Sequence, residues 1–194
     1  MKVTATQTQG WNLALEAARA TMPEGDQKDT WTPSDVPSSS WIEKMLFCEH
    51  SPIRRVRYWI TIRDVKRWVV GHLIRHKGGV ESFDTEPFVA TQRADRTGIP
   101  RDDLPQGELS TVSFDLNAQA LINMSRKRLC FKASSETREA WAAVRIAIGN
   151  IDAEVAKAMV PECVYRGCCT ELKTCGYADT EAFQDDLYYR IKNK

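Results

Sequence analysis

Val56-Arg57-Tyr58-Trp59-Ile60-Thr61-Ile62-Arg63 alternates strictly: Val56, Tyr58, Ile60 and Ile62 point one way, while Arg55, Arg57, Trp59, Thr61 and Arg63 point the other. A period of two belongs to a strand with one buried face. The period then changes. Asp64 offers a helix N-cap, and Val65, Trp68, Val69, His72, Leu73 and His76 recur at helical spacing. Upstream, Ser40 can cap a helix carrying Ile42, Met45 and Leu46 that stops near Pro52.

The helix after the strand ends on Arg75-His76-Lys77, followed by Gly78-Gly79 and, farther on, by Thr91-Gln92-Arg93. Guanidinium forks match phosphate oxygens in pairs, and glycine lets backbone approach a ligand closely, so a nucleotide grip is one reading. The other is a solvated helix end, where cations gather at the carbonyl pole and Gly stops the turn. His72 and His76 share a face at the spacing of a zinc pair, but no Glu completes an HExxH pattern, and no metal is expected there. Phe88 to Thr91 reads as a short strand, and Thr97 to Gly107 as a charged surface loop.

A second block runs from a strand-like start at Val112 through Asn117, a plausible cap, to the apolar face Leu121, Ile122, Met124 and Leu129. Asn123, Arg126, Lys127 and Arg128 accompany it. Amides can donate to and accept from heterocycle edges, and an arginine can steady negative charge developing on one; a polar helix face is the plainer reading. After Ser134-Ser135, the row Trp141, Val144, Ile148, Ile151, Val155, Met159 predicts one long amphipathic helix for core or subunit packing.

With 194 residues and 42% apolar content, the chain can build one sizeable core, and a single domain over 1–194 is expected. Residues 1–39 read as an irregular segment with a short helix from Trp11 to Met22, and residues 163–194 as a Cys-rich tail. Lys plus Arg number 27 against 26 Asp plus Glu, a net charge of +1, which argues against a whole-molecule nucleic-acid or membrane binder. No apolar run reaches spanning length, and a cytoplasmic protein with reduced thiols is expected. Cys48 and Cys130 read as core residues. Cys163, Cys168, Cys169 and Cys175 crowd together, yet form no CxxC pair and have no histidine nearby.

Three ordered segments resemble the flavin-dependent thymidylate synthases over roughly Ser40 to Tyr165: Cys48-Glu49-His50-Ser51-Pro52, Leu73-Ile74-Arg75-His76-Lys77, and Asn117-Ala118-Gln119-Ala120-Leu121-Ile122-Asn123 through Arg128. The resemblance implies an α/β (α+β) fold, a mixed sheet with flanking long helices, assembled as a homotetramer with FAD where subunits meet and dUMP against the flavin. It implies that Arg75, His76, Lys77, Asn117, Gln119 and Asn123 bind the cofactor, that His72, Arg75, Thr91, Arg93 and Arg128 bind the nucleotide, and that Arg128 is catalytic. Methylenetetrahydrofolate would supply the carbon and NADPH the reducing power, with no cysteine nucleophile and no metal.

The sequence departs from that pattern at several places. Glu49 stands where the family has a histidine, His72 where it commonly has glutamine, Lys77 replaces the third signature arginine, and Gln119 replaces another. The interval from Arg75 to Arg93 is six residues longer. Such changes can retune the pyrimidine or the carbon donor without altering the fold. Two other functions fit parts of the sequence: a paralogue making another 5-substituted nucleotide, such as hydroxymethyl-dUMP or -dCMP, and a non-enzymatic nucleic-acid binder using Arg54, Arg55, Arg57, Arg63, Lys66 and Arg67.

Overall fold

The computed structural model describes residues 1–23, 35–76 and 85–192. Its centre is a four-stranded sheet of β1 (Lys2–Gln9), β2 (Arg57–Lys66), β3 (Glu86–Val89) and β4 (Leu109–Asn117), ordered β1-β2-β4-β3. All three pairings are antiparallel. The α+β class stands, but the sheet is antiparallel where a mixed one was expected.

The alternation at the head of the sequence decides which face is covered. Tyr58, Ile60 and Ile62 of β2 lie opposite Leu116, Phe114 and Val112 of β4, and all six are fully buried. On the other face Trp59 is 40% exposed and its ring lies 5.3 Å from that of Phe88. The buried face is covered by helices: α1 (Trp11–Arg19), α2 (Ser39–Cys48), α3 (Arg67–Leu73), α5 (Ala118–Arg128), α6 (Ser135–Gly149) and α7 (Ala153–Ala158). The short α4 (Ala94–Thr97) sits in the loop before β4, and α8 (Glu162–Arg166) and α9 (Glu181–Lys192) form the C-terminal part around Val160, Val164 and Phe183. None of the described helices is long and apolar enough to cross a membrane.

Several boundaries differ from expectation for identifiable reasons. Residues 2–9 are not irregular: β1 is an edge strand paired along β2. Ser38, not Ser40, caps α2, its Oγ accepting from Trp41 N at 3.3 Å. Asp64 caps nothing. It sits at φ 57 in a bulge between Ile62 and Val65, and the extra residue returns Val65 to the buried face, so the strand continues to Lys66 before α3 begins. Cys48 is exposed and Cys130 partly so; neither is a core residue.

The long C-terminal helix is two helices. α6 stops at Gly149, and Asp152 starts α7 by accepting from Val155 N at 3.1 Å through Oδ1. Ile148, Val155 and Met159 stay fully buried across the break, while Ile151, inside it, is 44% exposed. The other oxygen of Asp152 accepts from Tyr58 Oη (2.6 Å), Trp11 Nε1 (2.7 Å) and Gln7 Nε2 (3.2 Å). One carboxylate therefore joins β1, α1, β2 and α7. Burial and the adjacent carboxylate push the Tyr58 hydroxyl well above its ordinary pKa, so it stays a donor. Replacing Asp152 by Ala strands three buried donors, Trp11 Nε1, Tyr58 Oη and Val155 N. The expected loss is about 3–5 kcal/mol in urea denaturation, and a loss under about 1 kcal/mol would show that the carboxylate does not tie these elements together.

Candidate functional site

α3 buries Val69, Val70 and Leu73 against the sheet, which leaves His72 and the 3₁₀ turn Ile74–His76 toward solvent. α5 approaches from the other side. Its start is fixed by Asn117, whose Oδ1 accepts from Ala120 N at 2.9 Å, as the sequence predicts. Its middle is locked to α6: Trp141 Nε1 donates to Ser125 Oγ (2.9 Å), which donates to the Leu121 carbonyl (2.6 Å). These packed contacts carry Arg128, in the last turn, to the end of α3.

There Arg128 Nε donates to His76 Nε2 at 2.9 Å. An accepting Nε2 carries no proton, so His76 is neutral with its hydrogen on Nδ1. Burial, then the charges of Arg128 and Lys127, lower its pKa to about 4. His72 is also lowered, by burial and by Arg128 and Arg75. Its Nδ1 lies 3.2 Å from Thr137 Oγ1. Ser134 Oγ donates to that hydroxyl at 2.8 Å, the direction of the His72–Thr137 bond follows the tautomer of the ring, and Nε2 is the ring nitrogen that Thr137 does not engage. Burial and the neighbouring Arg75 lower Arg128 as well. Among the described residues no carboxylate pairs with Arg75 or Arg128. Two guanidiniums and two neutral imidazoles thus lie together, Arg75 exposed and His72, His76 and Arg128 partly buried, with no carboxylate among the described residues paired to either arginine.

A second group lies at the opposite end of α5. Gln119 Nε2 donates to Glu49 Oε2, and the Tyr165 hydroxyl also bonds that carboxylate. Glu49 ends α2 in the left-handed region at φ 51, a conformation a non-glycine residue keeps only when held. Asn117 and Gln119 are buried, and Asn123 is half-buried between them and Arg128. The Asn117 amide nitrogen and Gln119 Oε1 are the halves of those side chains that capping and Glu49 do not use. Donor and acceptor amides at one end of α5, with an unpaired cation pair at the other, fit a heterocycle joined to phosphates.

The remaining expected residues stand apart. Arg93 grips Asp95 with Nε and Nη2 at 3.0 and 3.1 Å, and Thr91 Oγ1 accepts from Arg93 N at 3.3 Å; neither touches His72, Arg75, His76 or Arg128 among the described residues. Lys77 lies outside them. Thr137 was not read from the sequence, where a fully buried threonine in the first turn of α6 looks like any other core residue.

No protein-family model matches the sequence, and no curated protein matches it. Solved structures do. The chain is similar to the flavin-dependent thymidylate synthase ThyX of Helicobacter pylori, solved with FAD and dUMP, at 15% identity and a TM-score of 0.63 over 82% of this chain and 100% of that one. The fold is that of the flavin-dependent thymidylate synthases. A second Helicobacter pylori ThyX structure with FAD and dUMP gives a TM-score of 0.64 at 15% identity, over 82% of this chain and 99% of that one. The UMP/dUMP methylase PolB of Streptomyces cacaoi, bound with 5-Br dUMP, shares the thymidylate synthase fold with a TM-score of 0.56 at 14% identity, covering 81% of this chain and 94% of PolB.

The neutral state of His76 has a pH signature. Its pKa is about 4 in the folded chain against an ordinary 6.5, so the unfolded chain binds the proton more readily. The stability it contributes is complete above about pH 6.5 and is lost as pH falls toward 4. His76→Gln, which keeps an acceptor for Arg128, should flatten the rise of the urea midpoint between those values. Equal slopes in variant and wild type would assign that rise to other groups.

Proposed function

We propose that the chain is a flavin-dependent enzyme that methylates C5 of dUMP to give dTMP, with FAD as cofactor, methylenetetrahydrofolate as carbon donor and NADPH as reductant. The observation that carries this reading is the unpaired Arg75–Arg128 pair beside His72 and His76, set in a thymidylate synthase fold. Arg128 would meet the uracil carbonyls and stabilise the negative charge that gathers on the ring as C5 becomes nucleophilic, the largest contribution a protein makes to such a step. His76 holds that guanidinium in place. His72 would hydrogen-bond the nucleotide through Nε2, and Arg75 would bridge nucleotide and cofactor. Asn117, Gln119 and Asn123 would hold the cofactor's heterocycle, with Lys77 near its phosphates. FAD, when bound, supplies the reducing equivalents.

Thr91 and Arg93 project on the loop before β4, away from the cation pair of their own chain. We assign them to the nucleotide phosphate in the site of a neighbouring copy, within a cytoplasmic homotetramer of single-domain chains spanning 1–194. In the assembled site, phosphate would compete with Asp95 for Arg93. A second reading, a paralogue making another 5-substituted pyrimidine nucleotide, draws on the Glu49–Gln119 pair, which puts a carboxylate where the resemblance places a cation. The nucleic-acid reading is weakened by ion pairs that occupy three of its six cations: Arg57–Asp115, Lys66–Glu136 and Arg67–Glu108, at 3.1, 3.2 and 3.0 Å.

Purified protein should show an oxidised-flavin absorption spectrum and convert dUMP, methylenetetrahydrofolate and NADPH to dTMP, read by product mass. A hydroxymethyl product would select the paralogue. Arg128→Ala should keep the flavin spectrum and lower kcat about 10²-fold or more. Arg93→Ala should weaken dUMP binding about 10- to 100-fold with the flavin unchanged. A colourless protein that neither binds added FAD nor turns over dUMP would refute the proposal.

A further inference from the structure

The C-terminal helix stands off from the helices that cover the sheet. α9 packs on α8 and on the turn Tyr177–Asp179, and a cleft of about 560 Å³ separates it from α2, α6 and α7. Cavities that hold small molecules run from roughly 300 to 1,000 Å³, so this is room for a ligand rather than a packing void. The floor is apolar: Leu46 and Val160 are 3% and 5% exposed, with Phe47 and Ala158 half-buried beside them. Tyr189 and Lys157, both exposed, stand at the rim. Among the described residues, none assigned above to flavin or nucleotide lines this space. We propose that the cleft is a second binding site, for a small aromatic carboxylate whose charge Arg145 and Arg190 hold.

The sign of the ligand follows from which charges are already answered. Three carboxylates line the cleft. Glu43 accepts from Lys157 Nζ at 2.8 Å, Glu154 bears on the same ammonium, and Asp186 accepts from the Tyr177 hydroxyl. The two guanidiniums have no such partner: among the described residues neither Arg145 nor Arg190 makes an ion pair. Arg145 donates Nε to the Ala156 carbonyl at 3.0 Å, which leaves its terminal nitrogens without a described acceptor. Arg190 lies over the rings of Tyr165 and Phe47, at 4.5 and 5.5 Å from their centroids, and Glu49 acts on it only from beyond ion-pair distance. Rings answer the face of a guanidinium and not its edge, where the N–H groups point. Burial lowers the Arg190 pKa, and a counter-charge acts more strongly where water is thin.

The chemistry of the ligand's body follows from the walls. Phe47 and Tyr189 present aromatic rings, and Leu46, Ala158 and Val160 present only hydrocarbon side chains. A flat apolar body gains by leaving water there, whereas a sugar or a peptide would lose hydrogen bonds. A carboxylate meets the edge of a guanidinium with two parallel bonds. It also carries a single charge, and the three acidic side chains of the lining would repel the dianion of a phosphate more strongly. Arg145 comes from α6 and Arg190 from α9, so a bound carboxylate would tie the C-terminal helix to the body of the chain.

Cinnamate titrated into full-length protein by isothermal calorimetry should show one site per chain, and cinnamamide, the same body without the charge, should bind at least about 10-fold more weakly. Arg145→Gln and Arg190→Gln should each weaken cinnamate about 10- to 100-fold and leave cinnamamide unchanged. Tyr189→Ala, in contrast, should weaken both alike. The acid-to-amide ratio within each variant reads the charge contact even where overall stability shifts. Saturating FAD and dUMP should leave cinnamate binding as it was, so this site and the flavin reading stand or fall separately; displacement by either would put cinnamate in the flavin site and overturn the proposal. No binding at millimolar cinnamate, an unchanged acid-to-amide ratio in either arginine variant, or tighter binding of cinnamylamine or cinnamyl phosphate than of the acid would each overturn it. So would binding that appears only when dilution separates neighbouring copies, because the cleft would then be an interface between chains.

Discussion

The carboxylate of Asp152 is the constraint on which the architecture turns. It is 6% exposed, and a buried charge is tolerated only when its lone pairs are filled. Here four donors fill them, from Gln7, Trp11, Tyr58 and Val155. Because those donors come from β1, α1, β2 and α7, satisfying one residue fixes where the edge strand, the first helix and the central strand sit relative to the helix break. α6 in turn packs across β1 and β2 and touches α3 and α5. The elements that carry His72 and Arg128 are thus referenced to the same frame.

Charge is handled differently on two faces of the last turn of α5. On one, Glu162 is buried, yet Arg126 and Arg166 hold its carboxyl down to about 2, a closed network with each charge answered. Two residues on, and among the described residues, Arg128 has only a neutral imidazole as partner and Arg75 only other cations nearby. Two arginines on the same helix, two residues apart, meet opposite fates because only one faces α8. Like charges held together without a described counter-charge cost stability, a local departure from the rule that each buried charge is answered.

Much of the fold was legible because its signals are local. The alternation from Val56 to Ile62, the Asn117 cap and the α6 apolar row each specify their own element. What escaped were features set by tertiary partners. Gly149 and Asp152 interrupt a helical row whose burial pattern runs on regardless, so periodicity could not reveal the break. β1, whose eight residues include just two apolar ones, Val3 and Ala5, carries too little apolar signal to announce a strand without β2 beside it. The site divides likewise. Arg75, His76 and Arg128, from separate sequence segments, are close in space, whereas Thr137, the partner of His72, carries no motif, and Arg93 pairs with Asp95 on the loop before β4.

The bulge at Asp64 sets a narrow evolutionary tolerance. A strand reverses its faces with each residue, while a helix turns about 100°. Were Ile62 to Val65 to pair regularly with all their residues kept, Val65 would turn outward and the helix after it would emerge rotated, with Val69 and Val70 toward water; loss of the extra residue together with the bulge would leave Val65 opposite Ser110, where it already stands. An irregularity that looks like a defect in pairing is therefore what reconciles an odd residue count with the helix orientation, and drift in this stretch can drop the bulged residue together with the bulge but not the bulge alone.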